Sequence, residues 1–118
     1  MEKEGTLAIK IKSKKLNIKN CKGIWSAIGL MFSKLKDIDG ALIYANNVWM
    51  PFIYNDLDLF FLDKSLKILE YKKSVPISKN PQTWKIYQNN KASYCLEIKH
   101  GVIKNPKKTV GKKVKIVQ

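Results

Sequence analysis

The chain has 118 residues, of which 45% are hydrophobic, 27% charged and 10% aromatic. This length and composition are typical of one globular domain, and they exclude a disordered tail, a flexible linker and a collagen-like repeat. The apolar runs are far shorter than the roughly 18 residues needed to cross a bilayer, and the N-terminal residues do not form a signal-peptide pattern. We therefore predict a single domain over residues 1–118 that is cytoplasmic and has no membrane partner.

All 23 basic residues are lysine, and against 9 acidic residues they give a formal charge of +14. Residues 1–36 carry a net +7, residues 37–63 a net −5 and residues 64–118 a net +12. Clustered lysines attract polyanions, so nucleic acid is one candidate partner. Because arginine is absent, such binding would be non-specific attraction to a phosphate backbone. The alternative is a lysine-rich surface that only keeps the protein soluble.

The first predicted elements are two strands and a helix. Apolar and polar residues alternate over residues 7–18, which predicts a hairpin that turns around Ser13 and Lys14. After Gly23 the apolar residues are spaced three and four apart, which predicts one helix near residues 23–36.

Short apolar runs separated by turn residues predict further strands, arranged as a meander. They cover roughly residues 41–45, 48–53, 57–62, 66–71, 84–88, 92–98 and 113–117. Two prolines and several polar residues predict a long loop from Lys73 to Thr83. The predicted fold class is mainly β, a compact β-sandwich or partly closed barrel of about seven short strands with one helix.

The predicted strand over residues 57–62 is apolar on both faces, so it should be covered on both sides. Asp58 is its single polar residue, and a carboxyl group in such a place must be hydrogen-bonded, paired or protonated. Asp58 is then a ligand anchor, a general acid or a structural hydrogen-bond acceptor.

Several segments of the chain resemble a known family. They are Gly29-Leu30-Met31-Phe32, Gly40-Ala41-Leu42-Ile43, Trp49-Met50, Leu57 to Asp63, and Leu96-Glu97 with Gly101 close behind. Over about residues 22–117 the chain is similar to the domain of unknown function 192 family, also called uncharacterised protein family 0127. The resemblance implies a small mainly-β fold, but it implies no reaction, cofactor or substrate.

We predict two groups of binding residues. The first is a ligand site near the lysine-free region from Asp39 to Asp63, formed by Asp58, Asp56, Trp49, Met50 and, from a later strand, Glu97. The second is a polyanion site that combines cations with stacking aromatics, formed by Lys79, Lys85, Trp84 and Tyr87. Trp84 and Tyr87 adjoin a polar loop and are expected to be exposed.

No cofactor, metal site or catalytic residue is predicted. One histidine and two cysteines are too few for a zinc site. Nucleophilic catalysis would need Cys21 as the nucleophile and His100 as its base, and the sequence has no oxyanion motif. We therefore interpret the chain first as a non-enzymatic binding module with a small-molecule or partner site near Asp58. The alternatives are a non-specific nucleic-acid or polyanion binder and an enzyme with a buried carboxylate as general acid. Exposed strand edges are compatible with a monomer or a weak homodimer.

Overall fold

The structure is a computed structural model that describes residues 6–21, 38–49, 56–75 and 77–117. Nine strands lie in these ranges, and each overlaps a predicted strand, so the mainly-β fold class is confirmed. The helix predicted near residues 23–36 lies outside the described residues. In the part of the chain that is described, no helix is long and apolar enough to span a bilayer.

The elements have the following bounds. They are β1 (Thr6–Ile11), β2 (Lys14–Cys21), β3 (Gly40–Ile43), β4 (Asn47–Trp49), β5 (Leu57–Leu62), β6 (Ile68–Ser74), β7 (Ile86–Gln88), β8 (Tyr94–Lys99) and β9 (Lys115–Val117), with short 3₁₀ helices at Pro81–Thr83 and Pro106–Thr109. The loop predicted from Lys73 to Thr83 is therefore shorter than expected, since β6 continues to Ser74 and a 3₁₀ turn ends it.

Seven strands form one mixed sheet in the order β6-β5-β8-β3-β2-β1-β9, while β4 and β7 pair separately. The predicted meander is wrong, because β8 lies between β5 and β3 and because β2 and β3 run parallel. Turn residues reveal where strands end, but they do not reveal which distant strands pair.

The large sheet is curved and its two edge strands approach each other at one point. Lys67 and Lys113 form an isolated antiparallel bridge. Beside it the Ile68 N–H donates to the Lys112 carbonyl at 2.8 Å, and the Val114 N–H donates to the Leu66 carbonyl at 2.9 Å. The sheet is thus partly closed, which agrees with the predicted architecture.

Two clusters of buried residues pack on opposite faces of this sheet. The inner cluster contains Ile9, Ile11, Leu16, Ile18, Leu42, Phe60, Leu62, Ile68, Leu96, Ile98, Ile103 and Val114. The outer cluster contains Ala41, Ile43, Val48, Leu57, Leu59, Phe61, Tyr87, Ala92 and Cys95. β5 lies between them and is buried along its whole length, so the prediction of a strand covered on both sides is confirmed.

Candidate functional site

Asp58 lies on β5 with its side chain completely buried. Its Oδ1 accepts a hydrogen bond from the Tyr71 hydroxyl at 2.7 Å and contacts His100 Nδ1 at 2.8 Å. With a carboxylate as acceptor, Nδ1 carries the hydrogen, and Nε2 is left as the ring nitrogen that an outside group can reach. Asp58 Oδ2 has no hydrogen-bond partner among the described residues.

Strand register explains why these three side chains meet. Asp58 pairs with Lys73 on β6 and with Ile98 on β8, and directly opposed residues of antiparallel strands share a face. Tyr71 precedes Lys73 by two residues and His100 follows Ile98 by two residues, so both project to the face of Asp58.

A second layer of polar groups surrounds the buried carboxyl. The Lys73 ammonium lies 3.5 Å from Asp56 Oδ2, and the His100 backbone N–H donates to the Asp56 carbonyl at 3.1 Å. The His100 side chain is 45% exposed, whereas Asp58 is hidden beneath it. We call Asp56, Asp58, Tyr71, Lys73 and His100 together the Asp58 cluster.

Burial, together with the hydrogen bond to Asp58, raises the pKa of Tyr71 far above its usual value. The phenol therefore stays protonated at neutral pH and remains a donor to Asp58. The Asp56–Lys73 pair is exposed, so it contributes at most about 1 kcal/mol and does not hold the cluster together. The donors that secure the buried carboxyl are those of Tyr71 and His100.

Glu97, the other carboxyl predicted for the ligand site, lies on the opposite face of the sheet. It pairs with Leu59 on β5 and with Ala41 on β3, both of which belong to the outer cluster. Burial raises the pKa of Glu97 to about 8, and its Oε1 has no partner among the described residues. Asp58 and Glu97 therefore cannot line one pocket.

The other two predicted ligand residues, Trp49 and Met50, are not seen beside Asp58 either. Trp49 lies on β4, whose Val48 packs into the outer cluster, so Trp49 belongs to the Glu97 side of the sheet and is 57% exposed. Met50 lies outside the described residues. Among the predicted ligand residues that the structure describes, only Asp56 lies beside Asp58.

Sequence reasoning did not join Tyr71 and His100 to Asp58. Tyr71 could have been placed there from a hairpin between the strands on either side of the Asp63 turn, because that pairing is local. His100 lies 42 residues after Asp58 in the sequence, and their contact depends on the insertion of β8 beside β5. No local pattern reports such an insertion.

Of the four residues predicted for the polyanion site, the two aromatic residues have different environments. Trp84 is 60% exposed, and its indole N–H donates to the Ser78 carbonyl at 2.6 Å. Tyr87 is 4% exposed and its hydroxyl accepts the Val75 N–H at 3.3 Å, so the expectation that Tyr87 is exposed is wrong. The reason is its pairing with Val48, which turns both side chains into the outer cluster.

The lysines of this group are exposed, and one of them contacts the buried ring. Lys79 and Lys85 both reach solvent, and the Lys85 ammonium lies 5.1 Å from the centre of the Tyr87 ring. This geometry is that of a cation–π contact. Lys79, Lys85 and Trp84 therefore all lie on the surface, and Lys85 contacts the buried Tyr87 ring.

Among the described residues, no group of three or more His, Cys, Asp or Glu side chains is arranged to hold a metal ion. Cys95 is a free thiol in the outer cluster, and burial together with the neighbouring Glu97 raises its pKa well above the ordinary value. Such a thiol is a packing group. The side chain of Cys21 lies outside the described part.

The model of the DUF192 family, described as an uncharacterized ACR, matches residues 15–116. The chain belongs to the domain of unknown function 192 family. The resemblance seen in the sequence is thereby confirmed, and the Asp58 cluster of this family member lies within the matched region. No curated protein matches the sequence significantly.

Solved structures with a similar fold include two bacterial proteins. A proposed transcription regulator from Sinorhizobium meliloti 1021 superposes with a TM-score of 0.71 at 20% identity, over 94% of this chain and 91% of its own. A protein of unknown function from Novosphingobium aromaticivorans DSM 12444 gives a TM-score of 0.69 at 18% identity, over 93% of this chain and 83% of its own. At these identities the likeness of the family member to them shows the fold alone.

Proposed function

We propose that this family member is a small non-enzymatic binding module whose ligand binds at the Asp58 cluster. One observation carries the proposal: a completely buried carboxyl group orients an imidazole that is 45% exposed. A buried carboxyl that holds a histidine by Nδ1 fixes the ring and presents Nε2 outward in a defined direction. Such a fixed group lowers the ordering cost of binding a partner.

The exposed members of the cluster define the chemistry of the ligand. His100 Nε2 accepts a hydrogen bond from a donor, Lys73 donates to an acceptor or an anion, and Asp56 accepts from a donor. Side chains of Lys73 and Asp56 are each nearly half exposed, so both are reachable. The cluster is thus complementary to a polar small molecule or a partner loop that carries a donor and an acceptor close together.

Binding rather than catalysis is proposed because of what His100 contacts. The described ring contact of His100 is with the Asp58 carboxyl, and no described hydroxyl or thiol side chain hydrogen-bonds the ring as a nucleophile that it could activate. We also propose that the module acts in the cytoplasm, since Cys95 is a buried free thiol. We propose a monomer or weak homodimer, since an edge strand can pair with a second copy.

A thermal-shift screen with polar small molecules tests the Asp58 cluster. Compounds that raise the melting temperature of the wild type should give at most half of that shift in His100→Gln. The glutamine side chain has no ring nitrogen that is held in place to accept a hydrogen bond. His100 is largely exposed, so this variant is expected to fold. In Asp58→Asn the thermal shift given by the same compounds should also fall, since this variant lacks the carboxyl group that orients the His100 ring.

Lys91→Gln is the matched control, because Lys91 is exposed in the turn before β8, at the far end of that strand from His100. Its compound shifts should equal those of the wild type. If compounds stabilise His100→Gln as strongly as the wild type, the Asp58 cluster is not the binding site.

A second candidate function is non-specific binding of nucleic acid. The observation in its favour is Trp84, a large aromatic ring left 60% exposed between two exposed lysines on a chain of charge +14. An exposed ring beside cations suits stacking with unpaired bases. One structure of similar fold is described as a proposed transcription regulator, which makes duplex DNA a useful second probe.

A further inference from the structure

A cleft of about 270 Å³ lies between the turn of the first hairpin and the loop after β8. Its walls are formed by Ile11, Lys12, Ser13, Lys14, Val102, Ile103, Lys104 and Asn105. None of these residues belongs to the Asp58 cluster. We propose that this cleft is a separate binding site for a small organic phosphate.

The charge of the cleft is uniformly positive. Lys12, Lys14 and Lys104 line it, and none of the described residues that line it is acidic. Within the described ranges, none of the three lysines forms an ion pair with a carboxylate. Three lysines that line one cleft without an acidic neighbour give it a positive potential, which favours the binding of an anion.

The floor of the cleft is apolar. Ile11 and Ile103 are buried members of the inner cluster, and Val102 packs against it. The rim adds the Ser13 hydroxyl and the Asn105 amide, both on exposed residues. A cationic rim above an aliphatic floor suits a ligand that has an anionic group and a small apolar body.

Two uncommon backbone conformations shape the opposite walls. Lys12 has φ 57° in the two-residue turn between β1 and β2, and Asn105 has φ 53° before the 3₁₀ helix Pro106–Thr109. Asparagine adopts positive φ more readily than most residues, whereas lysine seldom does, so the conformation is uncommon mainly at Lys12. Within the described part of the chain, the Asn105 side chain makes no capping bond to that helix, so its amide can face a ligand.

The size of the cleft favours a small molecule over a polymer. Its volume is just below the roughly 300 Å³ at which drug-sized pockets begin, which is enough for a single ring with one phosphate. Nucleic-acid grooves instead follow the backbone over about four or more nucleotides. The three lysines lie around one cavity and do not form such a track.

Phenyl phosphate is the probe, and its affinity is measured by calorimetry on the whole chain. We expect the triple variant Lys12→Gln, Lys14→Gln, Lys104→Gln to bind phenyl phosphate at least tenfold more weakly than the wild type. We also expect inorganic phosphate, which lacks the ring, and benzyl alcohol, which lacks the charge, to bind at least tenfold more weakly than phenyl phosphate. Backbone amide signals of Ser13 and Asn105 should shift in NMR spectra on titration.

The charge-matched control is Lys64→Gln, Lys67→Gln, Lys91→Gln, which removes three exposed lysines that do not line the cleft and should bind phenyl phosphate as the wild type does. Asp58→Asn should also bind it normally, so failure at one site is distinguishable from failure at the other. Equal loss in both triple variants would show general charge attraction and would overturn the proposal. The proposal would also be overturned if the wild type did not bind phenyl phosphate while the cleft triple variant bound oligonucleotides more weakly than the wild type.

Discussion

At the scale of single residues, two buried carboxyls on neighbouring strands have different surroundings. Asp58 has the Tyr71 hydroxyl and the His100 ring as partners, whereas Glu97 is buried among apolar side chains and its Oε1 has no described partner. Burial alone raises the pKa of Glu97 to about 8. A carboxyl without donors is kept neutral by its surroundings, and its ionisation then costs stability.

Glu97 should make the stability of the protein fall as the pH rises. Its pKa is about 8 in the folded chain against 4.5 for the ordinary side chain, so the folded state holds the extra proton between these values. The free energy of unfolding should therefore decrease by up to about 1.4 kcal/mol per pH unit from pH ~5 to pH ~8. Glu97→Gln removes this dependence, and urea midpoints of both proteins at the two pH values measure it.

Glu70→Gln is the control for this prediction, because Glu70 is a partly exposed carboxyl on β6 that carries no comparable burial. It should leave the pH dependence of the midpoint as in the wild type. Parallel pH profiles for the wild type and Glu97→Gln would show that Glu97 is not protonated in the folded chain.

At the scale of elements, β3 shows how a close approach between strands selects one residue. Gly40 pairs with Ile98 on β8, and a Cβ atom at Gly40 would overlap the backbone carbonyl oxygen of Glu97. Gly40 also begins the Gly40-Ala41-Leu42-Ile43 segment by which the chain resembles its family. The physical reason for a glycine there is the lack of space against β8.

Gly40→Ala should therefore destabilise the protein by about 2 kcal/mol or more, because backbone cannot move aside as a flexible side chain can. Gly111→Ala is the matched comparison. Its added Cβ would meet nothing within 4 Å, and only its φ of 92° is unfavourable, so the loss should be about 1 kcal/mol. Urea denaturation of the two variants measures both losses, and an equal or smaller loss for Gly40→Ala would contradict the steric argument.

At the scale of the whole molecule, the charge of +14 is distributed over surface that has few acidic partners. Lys72 and Lys73 have carboxylates within 4 Å, but the three lysines of the cleft have none within the described ranges. A surface of this kind attracts polyanions over distances of about a Debye length, roughly 10 Å at moderate salt. The attraction is general, so it must be separated from binding at defined sites.

A salt titration distinguishes general charge attraction from binding at defined sites. If the lysine surface binds nucleic acid, association with single-stranded and duplex DNA should weaken steeply between about 50 and about 200 mM salt. Trp84→Ala should weaken single-stranded binding several-fold more than duplex binding, because only unpaired bases can stack on the ring. Fluorescence anisotropy measures both, with Asn90→Ala, at another exposed position, as the control. Absence of association even at the lowest salt would remove the polyanion function.

Particular residues show how far the candidate site could be predicted. The burial of Asp58 followed from its place in an apolar strand, since both parities of residues 57–62 are apolar around it. Its separation from Glu97 did not follow, because the face that each side chain occupies relative to the other is set by the register between β5 and β8. A shift of one residue in that register would have placed both carboxyls on the same face.

The amino-acid sequence by itself determined the fold class, the approximate strand positions and the family. These properties depend on periodicity, turn residues and local motifs, which act between neighbours in the chain. Only the tertiary structure decided that His100 contacts Asp58, that Tyr87 is buried, and that Lys12 and Lys104 line one cleft. Those contacts join residues that are far apart in sequence, and they form only because the strand order of the sheet brings their strands and loops together.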